Sequence, residues 1–224
     1  MNFWDGERWT PSDSTIETTP NGFAANRIQH KIALAQNLNG IGAVTVVTPD
    51  GLTLRSAPVG IGLYDAASGN SLIIAEVTDC SGVLVSSNKV VYENAFRGIS
   101  ADVSYTVDRF MLEQDIVIRE RLDPADYGFD PATARIRVFT ELYDAPKAER
   151  IRRPLRVEED EQVRRRMVTP DLVDEVLGFG EFVLATGRAF ATGDADAAAP
   201  VAKEIRRRTR EILRSPAGYE APRH

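Results

Sequence analysis

What this sequence lacks narrows it first. A single cysteine, Cys80, stands among 224 residues, so no disulfide can close within the chain. The only histidines are His30 and His224, which removes multi-histidine metal sites; any Ser-His-Asp or Cys-His arrangement would have to use His30. No run approaches the ~18 uncharged apolar residues that a spanning helix needs, so no transmembrane segment is expected. Glycine-rich phosphate loops, CxxC pairs and HExxH are all missing. Residues 1–9 offer neither a basic n-region nor an apolar h-region, and no signal peptide is read there. The expectation is therefore either a cytoplasmic protein or a piece of a longer secreted polypeptide whose export signal lies elsewhere. Lysine is scarce as well: four of the 27 basic residues are lysine (Lys31, Lys89, Lys147, Lys203), a coding bias before it is a recognition device.

What is present fits one soluble globular unit, or one unit with an appendage, at 43% hydrophobic and 27% charged residues and a net charge of −6. That charge is unevenly spread. Residues 1–149 hold 12 Lys/Arg against 20 Asp/Glu, and residues 150–224 hold 15 against 13. An acidic body lacks the positive field that phosphate binding requires, so no nucleic-acid partner is expected for it.

From residue 27 to 144, short runs of Val, Ile, Leu, Thr and Tyr alternate with Gly, Asn, Asp, Ser and Pro, a strand-and-turn signature. Ile28, His30, Ile32 and Leu34 share one face of a predicted strand. Residues 43–57 read as a hairpin around Pro49 and Gly51, with the φ values those residues favour. Residues 59–64 and 71–77 flank a six-residue loop, and residues 82–85 and 89–92 form the next pair. Ala101, Val103, Tyr105 and Val107 face one way, and Leu112, Ile116 and Ile118 share a side across the Asp108-Arg109 connection. Residues 135–143 close the region. Period two in so many short segments, with no helical period before residue 155, predicts an all-β antiparallel β-sandwich.

Beyond Pro146 the pattern changes. A mixed-charge run over residues 147–166 reads as a solvated connector or exposed helix. Thr169 and Pro170 carry helix-start chemistry before Leu177. Residues 179–192 read as a hairpin and residues 193–200 as a small-residue linker. Residues 201–214 are predicted as a basic amphipathic helix with a Val201, Ile205, Ile212 stripe. The expected organisation is thus an N-terminal arm (1–26), a β-sandwich domain (27–146), a charged connector with short helix and hairpin (147–200), the terminal helix (201–214) and a tail (215–224).

Several stretches taken together carry a resemblance: Trp9-Thr-Pro-Ser-Asp, Gln29-His-Lys31, Asn37-Leu-Asn39, Val47-Thr-Pro-Asp-Gly51, Tyr64-Asp-Ala-Ala-Ser-Gly69, Val90-Val-Tyr92, Glu113-Gln-Asp-Ile-Val-Ile118 and Ala132-Thr-Ala-Arg135. Over residues 9–203 the chain resembles the N-terminal β-rich region of large secreted or surface proteins of environmental bacteria, some with RHS/YD-type repeats. The resemblance implies a framework without an assigned chemistry. Two departures are the missing export signal and the arginine-rich helix predicted where a further strand would follow.

Candidate chemistry is sparse. His30 could act as a general base with Glu113 or Asp115; the blander use is a hydrogen-bonded structural histidine. Asp123, Asp126 and Asp130 form the best calcium candidate, oxygen ligands on one loop, although the spacing is not that of a calcium loop and Asx turns account for it equally well. Cys80 sits beside Asp79, which would raise its pKa, so an inert thiol is expected. Trp4, Trp9 and Tyr127 offer sugar-stacking faces or packing surface. Arg206, Arg207, Arg208, Arg210 and Arg214 suit an acidic partner or a solvated helix face. The reading favours a non-enzymatic structural or interaction module of a bacterial envelope or extracellular protein, with other protein segments, including the rest of a longer polypeptide, as partners. The rivals are a carbohydrate-active or carbohydrate-binding sandwich using His30, Glu113 and Asp115, and a cytoplasmic interaction protein acting through the terminal helix.

Overall fold

The computed structural model describes residues 1–143, 145–154, 160–165, 173–180, 182–185, 187–191 and 194–201. They divide into a body ending at residue 144 and a second unit beginning at Ala145. In the body the strands are β1 (Asn2–Trp4), β2 (Trp9–Pro11), β3 (Glu17–Thr19), β4 (Gly22–Ala25), β5 (Lys31–Ala35), β6 (Val44–Val47), β7 (Thr53–Asp65), β8 (Ser71–Val77), β9 (Gly82–Ser86), β10 (Lys89–Tyr92), β11 (Phe96–Arg97), β12 (Ala101–Val107), β13 (Leu112–Ile118) and β14 (Ala134–Tyr143). Every pairing is antiparallel, and the fold is all-β.

Apart from the small β1–β2 hairpin, the body strands form two sheets. One runs β13-β12-β10-β9; the other runs β11-β8-β7-β6-β5-β4-β3, with β14 added to β7. Both feed one apolar cluster. Phe23, Ile32, Leu34, Val44 and Ile61 enter from the larger sheet, and Val90, Tyr92, Val103, Tyr105 and Val107 from the smaller. The alternation expected in residues 101–107 is met, since Ala101, Val103, Tyr105 and Val107 are all buried. A second link is polar. Tyr92, fully buried, donates its hydroxyl to the Ala35 carbonyl at 2.6 Å, across from one sheet to the other. Gly82 starts β9 where an added Cβ would lie 2.7 Å from the Phe23 ring and 2.9 Å from Tyr92, so only glycine fits between them.

The hairpins expected over residues 43–57 and 59–77 are present but share a strand. β7 continues for 13 residues through Pro58. Along one edge it pairs β14 from Arg55 to Asp65. Along the other it pairs β6 from Thr53 to Ser56, then β8 from Gly60 to Tyr64. Between those partners lies Pro58, which has no N–H to donate. The sheet therefore forks there, with β6-β5-β4-β3 leaving one half of β7 and β8-β11 the other.

Four sequence expectations differ from the structure. His30 does not join a strand face: β5 begins at Lys31, and Ile28, Ile32 and Leu34 are buried while His30 stays partly exposed. Residues 1–26 supply β1 to β4, with Ile16, Phe23 and Ala25 in the core, so the arm is part of the body. In the second unit, the helix expected near residues 169–177 gives way to β16 (Val173–Phe179), which pairs β15 (Glu149–Pro154) and β17 (Phe182–Leu184). The fourth concerns the expected hairpin at 179–192 and the linker after it. They resolve instead into the β16–β17 turn and a separate pairing of β18 (Gly187–Ala191) with β19 (Asp194–Val201). A single turn, α1 (Glu161–Arg164), lies between β15 and β16. The terminal helix expected over residues 201–214 lies, past Val201, outside the described residues.

The close approach of β8 to β7 predicts one sensitive position. A Cβ on Gly60 would sit 2.5 Å from the Ala75 carbonyl oxygen, a backbone atom that cannot swing aside. Gly60→Ala is expected to cost about 2–4 kcal/mol in urea unfolding. A loss under about 0.5 kcal/mol would show that β7 and β8 do not approach this closely.

Candidate interaction surface

The fork in β7 leaves a groove. Where neither β6 nor β8 pairs, Ala57, Pro58 and Val59 floor an open cavity of about 280 Å3. Leu38 and Ile41 from the loop before β6, Glu76 from β8, and Glu141 and Tyr143 from β14 also line it. The wall is braced: Asp79 accepts from the Asn37 side chain at 3.0 Å and from Asn39 at 3.1 Å, and Leu38 N–H donates to the Cys80 carbonyl at 3.2 Å. Tyr143 donates to Glu141 at 2.8 Å. The groove is shallower than the ~300–1,000 Å3 pockets that enclose small molecules. Two carboxylates above an apolar floor suit one apolar side chain bearing a positive charge.

Beside the groove runs β14, an edge of the larger sheet. Among the described residues no strand pairs its outer side. At ten residues it outlasts the other sheet edges, β11 with two, β3 with three, β9 with five and β13 with seven. Its faces differ. Arg137 lies over the Tyr64 ring at 3.5 Å from the centroid, and the Phe139 ring fills the space beside Gly62. On the opposite face, Ile136 and Val138 stand across from Leu63 and Ile61 in the register. Leu63 and Ile61 are fully buried, whereas Ile136 is 51% and Val138 44% exposed. The cover over the core thus stops at β7 and leaves β14 with an apolar row in water.

The sequence candidates do not converge. His30 precedes β5 of the larger sheet; Glu113 and Asp115 lie on β13 of the smaller one, opposite Thr106 and Ser104 on its outer face. Asp115 accepts from the Ser104 hydroxyl at 3.2 Å and lies 3.9 Å from the Lys89 ammonium. The carboxylate near His30 is Asp50, held below its ordinary value chiefly by the Thr48 hydroxyl, with the imidazole a smaller influence. Asp123 and Asp130 are used locally, accepting from Ala125 N–H at 3.0 Å and Ala132 N–H at 2.9 Å. Asp126 sits in the 3-10 turn Pro124–Tyr127 that Gly128, at φ 75°, closes. Among the described residues no three His, Cys, Asp or Glu side chains gather so as to hold a metal ion. Burial, with Asp79 adding to it, pushes the Cys80 thiol up, away from a reactive thiolate.

Trp4 and Trp9 face each other edge-on across the β1–β2 hairpin, 5.7 Å apart, and both are more than half exposed. Asp5 holds the connecting turn by accepting from Glu7 and Arg8 N–H, each at 2.9 Å, and from the Thr10 hydroxyl at 2.8 Å. The edge of β14 and the groove escaped the sequence reading, although Pro58 inside an apolar run signalled the break in pairing.

No family model matches the chain, and neither a curated protein nor a solved structure does.

The groove wall yields a pH prediction. The Asn37 and Asn39 amides hold the Asp79 carboxyl below its ordinary value. A depressed folded pKa stabilises above the unfolded value and is lost as pH falls through the folded one. The protection factors of the Leu38 and Asn39 amides, rates corrected for intrinsic exchange, should therefore hold at neutral pH, fall as pH drops below the ordinary carboxylate range, and be reduced at every pH in Asp79→Ala. Unchanged exchange in that variant would remove Asp79 as the brace.

Proposed function

We propose that the chain is a non-enzymatic structural and interaction module, a β-sandwich that binds other protein segments by strand addition to β14. The observation that carries this reading is the long outer edge of β14 with Ile136 and Val138 exposed beside it. Natural edges are usually short, or blunted by lysine, proline or bulges, because an unpaired ladder templates another strand. β14 has neither lysine nor proline. An extended segment would gain main-chain hydrogen bonds there and cover the apolar row. The shared core of the two sheets supports the sandwich assignment. The resemblance to β-rich regions of secreted bacterial proteins supports an envelope or extracellular setting, where such a segment belongs to a partner or to the rest of a longer polypeptide.

The exposed Trp4–Trp9 pair favours a second reading, carbohydrate binding by stacking. Two measurements separate the readings. A library of extended peptides panned on the full chain should yield binders that lose affinity at least tenfold when Ile136 and Val138 are both changed to Lys. Binders indifferent to that change would overturn strand addition at β14. Polysaccharides should be neither retained nor cleaved; retention abolished by Trp4→Ala and Trp9→Ala would favour the second reading, and cleavage abolished by Glu113→Gln would make the chain an enzyme.

A further inference from the structure

We infer that the strand added to β14 is β14 of a second copy of this chain, docked antiparallel with Val138 on the two-fold axis. This rests on the strand-addition reading and names its partner.

The backbone comes first. In an antiparallel ladder, alternate residues turn their N–H and C=O groups toward one neighbour and the intervening residues toward the other. Ala66 N–H donates to the Thr133 carbonyl at 3.2 Å, so the odd-numbered positions bond toward β7. The Ala134 carbonyl is met instead by the Arg135 guanidinium at 2.7 Å, which marks even-numbered positions as facing outward. Ile136, Val138 and Thr140 therefore present their backbone groups to an incoming strand. The extra residue where the register shifts belongs to β7, at Val59, so the alternation in β14 is kept.

Self-pairing about Val138 sets Val138 against Val138 and Ile136 against Thr140. The outward-facing groups of Ile136, Val138 and Thr140 then each meet another. The opposite face sets Arg135 against Glu141 twice, once on each side of the axis, and Arg137 against Phe139. Directly opposed unlike charges stabilise a ladder and like charges oppose it. Moving the axis to Arg137 would stack two arginines on each other. Moving it to Phe139 would make Arg137 the partner of Glu141, yet Arg137 is already stacked on Tyr64. The Val138 register leaves that stacking in place and opposes unlike charges, with Arg135 swinging from the Ala132 and Ala134 carbonyls toward Glu141 on docking. Because the contact is isologous it closes at two copies and does not propagate as a fibre. The four side chains at Ile136 and Val138 then form one apolar strip across the joined sheets.

Sedimentation velocity on the full chain tests this, with charge exchange across the axis as the discriminating step. Wild type should show a concentration-dependent monomer–dimer equilibrium. Arg135→Glu and Glu141→Arg should each weaken it about tenfold, because each places two like-charged pairs across the ladder. The double exchange should restore it. A Phe139-centred dimer would respond to Glu141→Arg but not to Arg135→Glu, and the double change would rescue nothing.

Cross-linking supplies a readout independent of those charges. In a Cys80→Ser background, Val138→Cys should oxidise to a disulfide dimer. Ile136→Cys should not, because the two copies of residue 136 would lie four positions apart, about 13 Å. A chain that stays monomeric and fails to cross-link through Val138→Cys overturns the self-pairing. If selected peptides still bind wild type and not the Ile136/Val138 lysine variant, strand addition survives with a different partner; if they do not, both readings fall.

Discussion

The constraint on which the body depends is that β7 has two edges and three partners. One edge is taken along its length by β14, so β6 and β8 must divide the other. Pro58 makes the division definite, because a residue without an N–H cannot sit mid-ladder on both sides. Several features follow from that one position. The large sheet splits into two wings, the loop at residues 38–41 closes over the gap, and a groove opens beneath it. Gly60 and Gly62 lie just past the break, where β8 crowds in and Phe139 leans over from β14. A side chain at either glycine would push the wings apart.

Packing between the sheets relies on tyrosine as much as on aliphatic residues. Tyr92 and Tyr105 are both fully buried and meet edge-on at 6.0 Å. Each hydroxyl finds an acceptor, Ala35 O for Tyr92 and the Gln114 side chain at 3.0 Å for Tyr105. Burial raises both phenol pKa values, so neither ionises in service. The same economy holds on the outer face of the smaller sheet. Asp102 is buried but bonded to the Asn94 N–H at 2.9 Å and paired with Arg119. These polar groups satisfy one another, so their burial leaves no unmet hydrogen bond among them.

How much of this was legible depended on range. Hairpins closed by short turns were readable because the turn residues and the alternation are local: Gly51 at φ 90° and Gly69 at φ 77° stand where the sequence asks for them. The sharing of β7 was not readable, since which hairpins fuse is decided by contacts distant in sequence. The second unit misled for a different reason. Arg152 and Arg153 belong to a charge-dense run that reads as solvated. The backbone register sets them opposite Glu175 and Asp174, so the run belongs to a ladder whose other strand lies about twenty residues on. Thr169 and Pro170 carry helix-start chemistry, yet the chain from Val173 is claimed by β15, a case of tertiary pairing overriding local preference. For the site, the candidates His30, Glu113 and Asp115 were chosen by chemistry alone, and topology put them on different sheets.

That outcome shifts attention from side-chain chemistry to the backbone. In the body, Asp102, Asp115, Asp123 and Asp130 each hold a hydrogen bond within the fold. Among the described residues, the long unpaired ladder is the outer side of β14. The edges at β3 and β11 are too short to hold a partner, and β13 turns Glu113 and Asp115 outward, which guards it by charge. β9 exposes Val83 and Val85, but over five residues. β14 combines length with an apolar row, and of its arginines Arg137 lies back over Tyr64 while Arg135 holds the Ala134 carbonyl at the end of the edge. An edge built this way is a liability unless it is occupied. A twofold self-pairing removes the liability with the residues at hand, because Arg135 and Glu141 are spaced symmetrically about Val138 and only a second antiparallel β14 brings them together.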